Sequence, residues 1–75
     1  MNNIHFSITK PIYNCSMEVY NSLGNLIHVE KNEFISYEYY LDFQNYSPGI
    51  YIIKFYYQED LFSRETNHVF KVIKI

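Results

Sequence analysis

A small antiparallel β-sandwich is the fold class this sequence predicts, on three observations. Hydrophobic residues recur at every second position through most of the chain, turn-forming residues interrupt them at short intervals, and no stretch follows the 3.6-residue helical spacing. With 48% hydrophobic and 20% aromatic residues, the 75-residue chain has the material for a packed core and is not a disordered tail. A chain of this length buries only roughly 60% of its unfolded surface, so one domain of marginal stability is expected over residues 1–75.

The first strand is expected where Ile4, Phe6 and Ile8 alternate with His5, Ser7 and Thr9. Pro11 closes it, because proline has no N–H to give to a ladder. Cys15, Met17 and Val19 alternate with Ser16, Glu18 and Tyr20 in the second strand. Asn21-Ser22-Leu23-Gly24-Asn25 supplies turn residues, and Leu26-Ile27-His28-Val29-Glu30 completes a hairpin. Lys31, Asn32 and Glu33 are expected to break that strand. Tyr37, Tyr39, Leu41 and Phe43 then share one face, with Glu38, Tyr40 and Asp42 on a wet one.

Before the next strand, Pro48 presets φ near about −65° and Gly49 can take φ > 0, the pair a type II turn requires. Ile50 to Tyr57 is apolar on both faces apart from Lys54, which predicts a central strand covered on both sides or facing a partner. Gln58 to Asn67 is polar around Leu61 and Phe62 and reads as a long hairpin loop with extended arms. The last strand, His68 to Ile75, places Phe70 and Val72 on one face and Val69, Lys71, Ile73 and Ile75 on the other. Six short strands without a helix describe the sandwich.

Charge and composition exclude several functions. The net charge is −2 and the six basic residues are scattered, whereas phosphate backbones need Lys and Arg gathered on one face, so no nucleic-acid partner is expected. No apolar run approaches the about 18 residues that span a bilayer, and residues 1–5 lack the blocks of a signal peptide. The single cysteine, Cys15, excludes an internal disulfide.

Residues for catalysis are equally sparse. His5, His28 and His68 are far apart and none has a second ligand a few positions away, so no metal is expected. Cys15 belongs to an alternating apolar face, the place of a buried small hydrophobe rather than a nucleophile. Glu59-Asp60 lacks the alternating oxygen ligands of a calcium loop, and two glycines cannot build a phosphate loop. Neither an enzyme nor a cofactor is expected. The remaining candidates are the tyrosines Tyr37, Tyr39, Tyr40, Tyr46, Tyr51, Tyr56 and Tyr57, because an aromatic face can bind carbohydrate or a protein partner. An accessory binding sandwich is the alternative reading they support.

Three blocks carry a more specific resemblance. Glu18-Val19-Tyr20-Asn21-Ser22-Leu23-Gly24-Asn25-Leu26-Ile27 is similar to the hairpin block of the C-terminal sorting domains of the bacterial type IX secretion system, the Por secretion tails of Bacteroidetes. The stretch from Tyr40 through Ser47-Pro48-Gly49-Ile50-Tyr51 to Phe55 resembles their central block, and Phe70-Lys71-Val72-Ile73-Lys74-Ile75 their closing one. The resemblance covers residues 4–75 in order and spacing.

That resemblance implies an immunoglobulin-like β-sandwich that sorts rather than catalyses. Such a domain follows a cargo, is recognised by an outer-membrane translocon after passage through the periplasm, and is removed by a sortase-like peptidase that leaves the cargo secreted or on the cell surface. Gly24, Gly49, Ile50 and Tyr51 match the family's turn and core positions, and Lys71, Lys74 and Ile75 its terminal ones, where translocon recognition is implied. The family's opening strand with its Pro-Asn-Pro is expected to be missing, as is a cargo before Met1. The last hairpin has no glycine, where the family has a short one with glycine. A lost strand leaves its neighbour's N–H and C=O groups unpaired, which predicts a homodimer through the open sheet edge.

Overall fold

Period-two alternation resolves into two facing layers in the computed structural model, which describes residues 3–75. The strands are β1 (Asn3–Ser7), β2 (Ile12–Tyr20), β3 (Leu26–Ile35), β4 (Glu38–Asp42), β5 (Gly49–Gln58) and β6 (Thr66–Lys74). One sheet has the order β3-β2-β5-β6 and the other pairs β1 with β4, all antiparallel. The fold is the all-β sandwich expected, and the described residues include no helix.

The core lies where the middle strands face the small sheet. Cys15, Met17 and Val19 of β2 and Tyr51, Ile53 and Phe55 of β5 are buried together with Leu41 and Phe43. Ile12 and Ile35, paired across β2 and β3, close one end. Phe6 of β1 reaches across to Phe55 and Phe70, with ring centroids 5.7 and 5.6 Å apart and edge-on geometry. Edge-to-face packing sets the positive rim of one ring against the negative face of another.

Both hairpin turns are built on a side chain that replaces the backbone's missing partners. The Asn21 Oδ1 accepts the N–H groups of Leu23 and Asn25, each at 3.0 Å, and Gly24 sits at φ 85°. Glycine reaches that left-handed region without the steric cost a Cβ brings. In the β5–β6 loop, Asp60 accepts the Phe62 N–H at 2.8 Å and the Ser63 hydroxyl at 2.9 Å. That carboxylate turn closes a hairpin loop that contains no glycine.

Four expectations need correction. Lys31, Asn32 and Glu33 do not end a strand: β3 continues to Ile35, with Ser16 opposite Lys31 and Cys15 opposite Asn32. The ladder of β2 needs a backbone partner along its whole length, and a half-exposed edge strand tolerates polar side chains. Tyr37 does not join the buried face of β4; it is 71% exposed in the β3–β4 connection, where its carbonyl accepts the Ile8 N–H at 2.7 Å. β5 is not covered on both sides within the chain, since Tyr51, Ile53 and Phe55 are buried while Ile50 is exposed and Ile52, Lys54 and Tyr56 are half-buried, which leaves the outer face as the one a partner would meet.

The last correction concerns Pro48-Gly49. Gly49 has φ 156°, far from the about 80° of a type II turn, and already pairs with Lys74 as the first residue of β5. The Ser47 carbonyl is taken instead by the Tyr51 hydroxyl at 2.5 Å, so a side chain rather than the backbone ties this corner. The irregularity in β2 was invisible beforehand: Asn14 sits at φ 49°, where the β2–β5 register shifts between Tyr13 and Ser16. Asparagine is one of the few side chains that tolerates that region.

Candidate functional site

The residues of the two later motif blocks meet at one end of the four-stranded sheet. β5 and β6 pair without a register shift from Gly49 opposite Lys74 to Tyr57 opposite Thr66. Successive β6 side chains therefore alternate between the faces. Phe70 turns inward onto Phe6, so Val69, Lys71 and Ile73 turn outward, where Val69 is 61% and Ile73 57% exposed. Ile75, just past the strand, is fully exposed. Lys71 is exposed as well, opposite Ile52.

Lys74 lies three positions on and points the other way. Its ammonium donates to the carbonyls of Phe43 and Tyr46, each at 2.5 Å, and of Gln44 at 3.1 Å. Beneath that contact Phe43, Tyr46 and Tyr51 form an aromatic cluster, with Tyr46 and Tyr51 stacked 5.4 Å apart. Burial pushes the Tyr46 phenol above its ordinary pKa, and the nearby Glu30 charge adds to the effect. Tyr51, Gly49 and Ile50 thus belong to one corner: Tyr51 in the core, Gly49 at its rim, Ile50 exposed on the outer face.

Gly24 is not part of this corner. It sits in the β2–β3 turn, where its positive φ is its contribution. Sequence reading placed Lys71, Lys74 and Ile75 in one recognition group, whereas the structure sets Lys71 and Ile75 free in solvent and commits Lys74 to backbone carbonyls. The carbonyl cradle could not be found from sequence, since it joins residues 28 to 31 positions apart.

The other candidates disperse. His5 stacks on Tyr40 with its ring centroid 4.6 Å away, His28 is bonded to Glu30 at 2.8 Å, and His68 to the Tyr57 hydroxyl at 3.0 Å. Among the described residues, no three His, Cys, Asp or Glu side chains gather as metal ligands do. Cys15 is buried and unpaired by any disulfide, and burial pushes its thiol pKa up, away from the thiolate a nucleophile needs. Tyr39, Tyr46, Tyr51 and Tyr57 pack on the core, Tyr40 stands on the small sheet, Tyr56 on the outer face and Tyr37 in a loop. They do not share a face that could bind carbohydrate.

A shallow apolar groove of about 500 Å3 runs between the β1–β2 connection and the inner side of β5 and β6, lined by Phe6, Phe55, Tyr57, His68 and Phe70. It exists because the small sheet has fewer strands than the large one and does not roof β6 completely; Phe70 is 38% exposed.

Fold and site together define the class: a small two-sheet β-sandwich with a packed core and an exposed edge strand, β6. The family comparison carries this further. The model of the family described as "Secretion system C-terminal sorting domain" matches residues 1–69, and the chain belongs to that family, the C-terminal sorting signals of type IX secretion. No curated protein and no solved structure matches it significantly. The family match includes the Gly24 hairpin and the Pro48 to Phe55 block and stops at Val69, just before the closing block.

Proposed function

We propose that this domain is a non-catalytic sorting signal that takes an attached cargo through the type IX secretion system to the cell surface or the medium, by way of the periplasm. Family membership is the observation that carries the reading. The translocon contact is assigned to the outward side of the last strand, Lys71 and Ile73, with Ile75 just past its end, because these side chains are exposed while β5 holds the backbone of the first two. A cation between apolar side chains on a fixed strand is a surface that a partner can read in register. After export a sortase-like peptidase releases the cargo. The free edge of β6, the outermost strand of its sheet, also pairs two copies of the domain.

A reporter carrying a signal peptide, fused ahead of residues 1–75 and expressed in a host with the secretion system, tests the reading. Surface or extracellular reporter, shortened by removal of the domain, is the expected result. A periplasmic reporter rejects the reading. Lys71→Glu with Ile75→Glu should reduce export while leaving the thermal midpoint of the purified domain unchanged. Light scattering tests the pairing, and a monomer mass independent of concentration removes it.

A further inference from the structure

We infer that Lys74 is a positioning residue for recognition: its ammonium latches the end of β6 to the β4–β5 loop, so that the outward side chains of that strand are held in one geometry. The inference rests on the sorting reading above. An ammonium has three protons, and here three carbonyls, of Phe43, Gln44 and Tyr46, take them. Hydrogen bonds from a charged donor are roughly twice as strong as neutral ones.

The position of this contact gives it its effect. β6 is an edge strand, bonded to β5 on one side only, and strand ends held in that way are the first to fray. Lys74 is the last residue of the strand and lies opposite Gly49, the first residue of β5. The loop it grips is itself fixed, because Phe43 is fully buried and Tyr51 both stacks on Tyr46 and bonds the Ser47 carbonyl. The strand end therefore has two anchors on different elements, the β5 ladder and the loop. Without the second, Lys71, Ile73 and Ile75 would be displayed on a fraying end, and a partner would have to order them on binding.

Lys71 and Lys74 consequently do different jobs, which separates this inference from plain charge recognition. The test uses amide hydrogen exchange on the purified domain and export of the reporter fusion, with wild type, Lys74→Met, Lys71→Met and Ile35→Val. Ile35 is buried at the opposite end of the sheet, so its variant controls for lowered stability. Lys74→Met should speed exchange by about ten-fold or more at residues 72–74 and 44–46, and reduce export several-fold. Lys71→Met should leave that exchange unchanged. Ile35→Val should export as wild type does even where its thermal midpoint falls as far.

Unchanged exchange in Lys74→Met overturns the latch. Faster exchange with full export overturns its role in positioning, and so does a loss of export in Ile35→Val equal to that in Lys74→Met. A wild-type fusion that stays in the periplasm overturns the sorting reading and the positioning role with it, while the exchange data still decide whether the latch exists.

Discussion

β3 and β6 bound the same four-stranded sheet on its two sides, and they turn opposite kinds of side chain towards the second layer. Along most of β3 the inward positions are polar, with His28, Glu30 and Asn32 paired with the buried Val19, Met17 and Cys15 of β2 and only Ile35 apolar at the far end, while Val29 is exposed outside. On β6 the inward positions include Phe70 and Val72, paired with Ile53 and Tyr51. Inward-pointing charge on an edge strand discourages a further strand from adding to it, because that strand would bury the charge. β3 is guarded in this way; β6 carries no such charge beside Phe70 and Val72, and its one inward cation, Lys74, is already bonded. The contrast fits the pairing proposed above, in which β6 rather than β3 is the edge that meets a second copy.

The largest effect that sharpens the comparison comes from the strands between the edges. Ile53 is fully buried between Val19 and Phe70, and Ile53→Ala removes a side chain that the surrounding residues cannot replace. The expected loss is about 2–5 kcal/mol, a large share of the stability of so short a chain. Val29→Ala on the outside of β3 should cost less than about 1 kcal/mol. Urea unfolding followed by circular dichroism measures both. Equal losses would mean that the outside of β3 is packed as closely as the middle of β5, and that the edge of the sheet is not the looser region.

Much of this was legible from sequence, and the parts that were not have a common cause. Cys15, Met17 and Val19, and Leu41 with Phe43, announced buried faces because both sides of their strands have fixed environments, one wet and one dry. The Gly24 turn was legible because its chemistry is local. Lys31 to Glu33 misled because polarity signals a break only where burial is complete, and β3 lies at an edge. The Lys74 cradle, the Tyr51 bond to Ser47 and the Asn14 irregularity depend on how separate segments meet, which no local pattern encodes. Odd spacing in a strand did contain half of the answer, since Lys71 and Lys74, three apart, had to face opposite ways.

Removing the guard is the second way to break the comparison. His28→Val with Glu30→Val replaces a bonded inward pair by residues of high strand propensity. The expected outcome is association beyond that of the wild type, growing with concentration, because β3 then offers an apolar edge as β6 does. Sedimentation velocity at several concentrations reads it directly. A variant that sediments as wild type throughout would show that the pair does not protect this edge, and that shape alone keeps it unpaired.

The smallest effect separates the turns that lead into the two edges. Asn21 and Asp60 do the same work, each accepting the N–H two residues on, but only Asp60 can gain a proton. The Phe62 N–H, followed by the Ser63 hydroxyl, holds the Asp60 carboxyl below its ordinary pKa. A lowered folded value means that the turn's contribution is complete above the unfolded carboxylate range, near pH 4, and is lost as pH falls through the folded value. Acidification from neutral pH should therefore loosen the β5–β6 loop and leave the Asn21 turn untouched. The amide chemical shifts of Phe62 and Leu23 in one titration distinguish the two, the first moving with a midpoint below that of an ordinary aspartate and the second staying fixed. Asp60→Asn should keep the loop's shape and abolish the transition at Phe62. If Leu23 moves with Phe62, the acid transition belongs to the whole sandwich and the two turns are not independent.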